Sequence, residues 1–174
     1  MVGPYLALVG AVGAERLAEL VVSRRHERWL AARGAWEAGG GHYPVMVALH
    51  TGLLATAPAE VLFLGRPFLP WLGWPMLGLV VATMGLRWWV VATLGRRWTT
   101  RVWVLPGEPL VAHGPFRWLR HPNYLAVALE VIALPLVHTA WWTAAAFGAA
   151  NLALLAHRIR VEERALATAA AGDS

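Results

Sequence analysis

The sequence contains no cysteine, which excludes disulfides, thiolate metal sites and a cysteine nucleophile. Lysine is also absent, so all 15 basic residues are arginine. Charge is scarce: 14% of residues are charged, against roughly 25% in ordinary soluble domains. A chain with 58% apolar residues and a mean hydropathy of +0.51 cannot cover a globule in water. A disordered chain and a secreted disulfide scaffold are excluded on the same grounds, and a membrane protein is indicated. No cleavable signal peptide is expected, because Met1-Val2-Gly3-Pro4 carries no basic stretch and Glu15, Arg16 and Glu19 interrupt the apolar run that follows.

The 174 residues suffice for one domain, and at roughly 20 residues per crossing they accommodate about five transmembrane helices. Five apolar stretches fit that expectation, at residues 2–22, 43–64, 68–94, 123–137 and 141–158. The last two form a hairpin turning near Pro135 and His138, and the fourth is short enough to require tilt or partial insertion. The expected architecture is an all-α polytopic membrane protein without internal repeats, ending in a frayed low-complexity tail at residues 165–174.

The net charge of +5 and pI near 11.0 would suit nucleic acid, but the arginines cluster in short segments between apolar runs, which is the pattern of a topology signal. Arg24, Arg25, Arg28 and Arg33 separate the first two stretches. Arg96, Arg97, Arg101, Arg117 and Arg120 separate the third and fourth, and Arg158, Arg160 and Arg164 end the fifth. Arg66 alone lies on the opposite side. The positive-inside rule then predicts an external N-terminus and a cytoplasmic C-terminus in the inner membrane. Tryptophans at 29, 36, 71, 74, 98, 103, 118, 141 and 142 fall near expected span ends or in loops, as in an interfacial aromatic belt.

Chemistry concentrates on the arginine-rich side. Residues 95–121 contain Pro106, Gly107, Pro109, Gly114 and Pro115, so they form a structured loop. The loop ends in Arg120-His121-Pro122-Asn123-Tyr124, where Pro122 suits the first turn of a helix and leaves His121 at its N-terminus. That position favours an anionic ligand group; arginine and tyrosine anchoring at the interface is the other reading of the same residues. A second cluster, His157-Arg158-Ile159-Arg160-Val161-Glu162-Glu163-Arg164, closes the apolar region. Arg158 and Glu162 share one helix face, as do Ile159, Glu163 and Leu166. The two adjacent glutamates suit either a solvated helix end or a bound cationic group.

Ionisable residues inside spans are functional candidates. They are Glu15, Arg16 and Glu19 in the first span, His50 and Glu60 in the second, Arg87 in the third and Glu130 in the fourth. Interhelical pairing is the alternative, and Arg16 with Glu19 at i,i+3 fits it. Arg87 and Glu130 point instead to a polar cavity, since they stand nearest in sequence to the cytoplasmic motifs. His26, His42, His113 and His138 have no metal-ligand spacing, and neither a phosphate loop nor a Ser-His-Asp pattern is visible.

The run Gly114-Pro115-Phe116-Arg117-Trp118-Leu119-Arg120-His121-Pro122-Asn123-Tyr124-Leu125, followed by Arg158-Ile159 and Glu162-Glu163, resembles the isoprenylcysteine carboxyl methyltransferase family. Its signature recurs in membrane phospholipid methyltransferases. Arg87, Leu94-Gly95, Trp98 and Thr99 also fit, so the resemblance spans residues 86–166. In the N-terminal half, Glu15-Arg16-Leu17-Ala18-Glu19-Leu20, Arg33-Gly34-Ala35-Trp36-Glu37, His42-Tyr43-Pro44 and His50 resemble a bacterial branch similar to alkylresorcinol and alkylpyrone O-methyltransferases.

This resemblance implies an S-adenosylmethionine site at Gly114, Phe116, Arg117, Arg120, His121, Pro122 and Tyr124, with Glu162 or Glu163 near the ammonium or ribose. It implies catalytic roles for Arg87, Arg158 and Glu162 where cofactor meets lipid substrate, the arginines holding an oxyanion and the glutamate available as a base. No metal and no nucleic acid are implied. One domain results, with residues 1–85 on the substrate side and residues 86–166 as the cofactor-binding core. Two departures stand out: Phe116 replaces the family's usual tyrosine, and no aromatic, tyrosine-containing tail follows Leu166.

The expected function is methylation of a lipid-like acceptor at a carboxylate or a phenolic or enolic oxygen. The alternatives are phospholipid N-methylation, a membrane reductase related to sterol reductases, and a small transporter using Glu60, Glu130 and His50 as a relay.

Overall fold

Proline and glycine punctuate the chain. Pro44, Pro70 and Pro122 each stand in the first turn of a helix, where the missing N–H costs nothing and the fixed φ suits the start. Gly95, at φ +53°, ends the third helix. A computed structural model describes residues 1–172. The helices are α1 (Val2–Ala31), α2 (Tyr43–Phe63), α3 (Pro70–Leu94), α4 (Pro122–Leu136) and α5 (Trp141–Gly172). Two three-residue strands, β1 (Trp36–Ala38) and β2 (Val102–Val104), interrupt the connections.

The 15-residue α4 lies at the centre, packed against α3 and α5. Its apolar positions divide between two cores. Ala133 and Leu134 meet Val9 and Val12 of α1 and Val80 of α3. Tyr124, Val127 and Val131 meet Leu53 of α2 and Leu155 of α5. By length and composition, α2 with its preceding turn (Gly40–Phe63) and α3 with the following one (Pro70–Arg97) can cross a membrane. Both are mostly unburied on apolar faces, as expected where lipid is the solvent.

The sequence reading misses the small sheet. β1 and β2 pair antiparallel, Trp36 opposite Val104 and Ala38 opposite Val102. Their buried side chains pack on Val161, Ala165 and Leu166 of α5. This clamp gathers the α1–α2 connection, the α3–α4 loop and the end of α5 at one pole, which is where the arginine-rich segments lie. Glu37 and Arg101 seal it, with Arg101 Nη1 3.0 Å from both carboxylate oxygens and its guanidinium over the Tyr43 ring. Burial works against the Arg101 charge, but Glu37 more than offsets it and raises the pKa above the ordinary arginine value.

Three expectations are corrected. The tail does not fray at residue 165: α5 runs to Gly172, because Ala165 is buried under the sheet. Asp173 and Ser174 lie outside the described residues. The first helix also overruns its expected end by nine residues, carrying Arg24, Arg25 and Arg28 on helix and not in a loop. Trp98, placed with the aromatic belt, is buried, with its carbonyl 2.7 Å from His26 Nδ1 of α1.

At the other pole Glu60 is structural. Its carboxylate accepts the Trp142 N–H at 3.2 Å, the Thr143 N–H at 2.7 Å and the Thr143 hydroxyl at 2.7 Å, and it pairs with Arg66 at 2.7 Å. A carboxylate on the first turn of α5 satisfies free N–H groups and the helix dipole together. Glu60 is therefore committed to a cap and an ion pair.

Candidate active site

A cavity of about 340 Å³ opens among α1, α2, α3, α4 and α5. A smaller one of about 130 Å³ lies beneath the β2 strand and the turn at Gly114–Arg117. The two share a wall formed by Trp98, Asn123, Tyr124 and Arg158. The larger is mainly apolar, while Phe116, Arg120, His121, Pro122 and Glu162 line the smaller.

Arg158 dominates the wall. It is 6% exposed, its Nη2 donates to the Thr100 carbonyl at 2.7 Å, and its Nη1 rests on the Met46 sulfur. The guanidinium also lies over the Tyr124 ring, 5.5 Å from its centroid. Its Nε is buried and unpartnered, and among the described residues Arg158 forms no ion pair. The support extends outward: the Thr100 N–H donates to the Ser23 hydroxyl at 2.9 Å, and that hydroxyl donates to Glu27 at 2.7 Å. A buried arginine without a carboxylate is costly unless its site receives an anion.

Arg87 differs. It lines the larger cavity, but its Nε and Nη2 donate to the two Glu19 oxygens at 2.9 and 2.6 Å. Glu19 also pairs with Arg16, whose Nη2 reaches both Glu130 oxygens at 2.8 and 2.7 Å. The i,i+3 pair expected from sequence is thus one edge of a network joining α1, α3 and α4. Glu130 belongs to that network, so the expected polar cavity holds Arg87 beside it with its charge already neutralised.

His121 is the N-cap residue of α4, as expected. Its ring stacks on Tyr124 at 5.5 Å, and its Nε2 lies 3.5 Å from Glu163. Arg120 reaches the same carboxylate at 3.4 Å. The Tyr124 hydroxyl donates to Glu162, so Glu162 turns toward Tyr124 and not toward Arg158 four residues away. Glu163, Gly114 and Arg117 line neither cavity; Arg117 is exposed against Trp118.

Gly114 shapes the site from behind. Its φ is +60°, and a Cβ there would lie 2.6 Å from Thr93 Oγ1. Gly114→Ala is therefore expected to lower stability by about 1–3 kcal/mol through strain and crowding. In thermal unfolding, Thr93→Ala restores only the steric part, because the left-handed backbone remains strained. Full rescue by Thr93→Ala would reject the backbone argument.

The sequence reading passed over Asn123, Met46 and Asn151 as site residues. Asn123 stands inside the family motif, and its Oδ1 is buried on the shared wall without a partner among the described residues. Asn151 is an amide within an otherwise apolar run, and that isolation is the signal that would have found it. Trp98 and Trp103, both lining the smaller cavity, likewise bury indole N–H groups without a partner among the described residues.

A profile of the isoprenylcysteine carboxyl methyltransferase (ICMT) family matches residues 76–168. The chain is 36% identical over 163 residues to the uncharacterized protein YpbQ of Bacillus subtilis, covering 93% of this chain and 96% of that one. It is 29% identical over 156 residues to an uncharacterized Haemophilus influenzae protein, covering 88% and 89%.

Proposed function

This chain belongs to the isoprenylcysteine carboxyl methyltransferase family, and on that premise we propose that it is a multi-pass inner-membrane enzyme transferring a methyl group from S-adenosylmethionine to an oxygen of a lipid-like acceptor. The observation that carries the reading is Arg158, buried without a carboxylate on the wall between an apolar cavity and a polar one.

The smaller cavity suits the cofactor chemically. Its unpartnered Asn123 Oδ1 and the indole N–H groups of Trp98 and Trp103 match a nucleoside and amino-acid moiety. Glu162 suits the ammonium, and the Tyr124 and Phe116 rings suit a sulfonium. S-adenosylmethionine supplies an electrophilic methyl group when bound. What remains for the protein is to place the acceptor in line and to exclude water.

Arg158 performs the central part. An acceptor oxygen held there loses its proton more readily, because an adjacent cation favours the anionic form. The supports at Thr100 and Met46 fix the guanidinium, and the unpartnered Nε is its free donor. Arg87 serves as cavity wall with its charge held by Glu19. An amine acceptor would meet Arg158 as a like charge while protonated, which favours oxygen over a phospholipid amine. With Glu60 and Glu130 committed to a cap and an ion pair, an ion relay has little left to use.

Calorimetric titration of the detergent-solubilised protein tests the cofactor. Saturable binding of S-adenosylmethionine and S-adenosylhomocysteine is expected, weakened roughly tenfold by His121→Ala, about 1.4 kcal/mol. Absence of binding, or a preference for NADPH, rejects the reading in favour of a transporter or a reductase.

A further inference from the structure

Asn151 lies on α5 seven residues before Arg158, two turns away on the same helix face, roughly 10 Å along the axis. It is 2% exposed, and both its Oδ1 and its Nδ2 are buried without a hydrogen-bond partner among the described residues. It lines the larger cavity, where Leu54, Val127 and Leu154 are its apolar company. A carboxamide carries two donors and an acceptor, and leaving all of them unpaired in apolar surroundings is strongly unfavourable. Such groups are rare in folded proteins and call for an explanation.

The facing helix contributes a second polar group to the same cavity. His50 Nδ1 lies 2.9 Å from the Met46 carbonyl. A carbonyl only accepts, so Nδ1 carries a proton, and in the neutral imidazole Nε2 keeps its lone pair. The cavity thus combines a predominantly apolar wall with a free amide and an imidazole acceptor, both deeper along their helices than the Arg158–Met46 contact. A plain hydrocarbon tail would satisfy neither.

We propose that Asn151 recognises a second oxygen function, a hydroxyl or a carbonyl, set within the apolar part of the acceptor about two helical turns from the oxygen held at Arg158. The amide N–H donates to that oxygen, and the amide oxygen accepts from it when it is a hydroxyl. This inference rests on the reading that the larger cavity takes the acceptor. It narrows the acceptor class to amphiphiles oxygenated at two separated positions.

The test titrates the full-length chain in detergent with hexadecanoic acid and with its mid-chain oxo and hydroxy derivatives, reading apparent affinity from thermal shifts. Wild type is expected to bind the oxygenated derivatives about tenfold more tightly than the parent acid. Asn151→Leu is expected to reduce that difference to about twofold or less, while the ligand-free variant melts no lower than wild type, since no hydrogen bond is lost. Asn151→Ala, which adds no volume, must behave likewise and guards against a packing clash. Equal affinities in wild type, a preference retained in both variants, or earlier melting of both ligand-free variants would overturn the assignment. S-adenosylmethionine binding on the same samples separates the two levels. Normal cofactor binding without a preference sinks this inference alone. A preference without cofactor binding sinks the methyl-transfer reading and leaves the site standing.

Discussion

Arg158→Ala is expected to lower turnover by at least about a hundredfold while the protein still inserts, folds and elutes as the wild type does. Removing one preorganised donor from a site of developing charge typically costs 10²- to 10³-fold in rate, about 2.7–4 kcal/mol. Arg158 offers more than one donor at a wall shared by both cavities. Folding should survive because the side chain has no carboxylate partner to strand: its loss frees the Thr100 carbonyl, the Met46 sulfur and one face of the Tyr124 ring. Arg158→Lys should recover little, since a single ammonium cannot reach Thr100, Met46 and the substrate from one planar fork. Measured turnover with S-adenosylmethionine, set beside thermal unfolding of the same preparations, decides the matter. Near-normal turnover in the alanine variant would remove Arg158 from the active site, and a large loss of stability would make it structural.

Glu19→Ala should do the reverse. Glu19 is buried where Arg87 holds both its oxygens and Arg16 pairs with it as well. Truncating it strips Arg87 of its carboxylate inside the bundle and leaves Arg16 to Glu130. Breaking a buried pair in this way costs about 3–5 kcal/mol, a drop in melting temperature on the order of 10 °C for a chain of this size. Replacing the pair together, as in Glu19→Leu with Arg87→Met, should recover most of the loss, because well-packed apolar residues often substitute for a buried ion pair without net cost. Unchanged melting of Glu19→Ala would show that the network is incidental. Loss of activity at normal stability in Arg87→Met would instead return Arg87 to the chemistry.

These two arginines mark where sequence reading reached its limit. Arg87 lies within one apolar stretch and Arg158 ends another, and both match positions of the same family. Nothing in their spacing separates an arginine neutralised by Glu19, 68 residues away, from one without a carboxylate. Glu60 illustrates the same point: an acid in an apolar run reads as a relay, yet it caps α5 through Thr143, 83 residues on. The sheet was illegible for a related reason, since two three-residue strands carry too little period-two pattern to register. Asn151 carries no charge, and a single amide in an apolar run has no spacing partner that would mark it in the sequence.

What local chemistry determines was present in the sequence. The scarcity of charge, the helix-opening prolines and the apolar run lengths are properties of neighbouring residues, and they dictated an all-helical membrane chain with α2, α3 and α4 ending within two residues of their expected positions. The spacing of Arg120-His121-Pro122-Asn123-Tyr124 likewise placed His121 at the start of α4. Only the tertiary structure decided which charges pair, which wall joins the two cavities, and that Arg158 and Asn151 are left over. Those outcomes depend on helices brought together from across the chain, where burial removes water as the universal partner and every charge or amide must find another group or wait for a ligand.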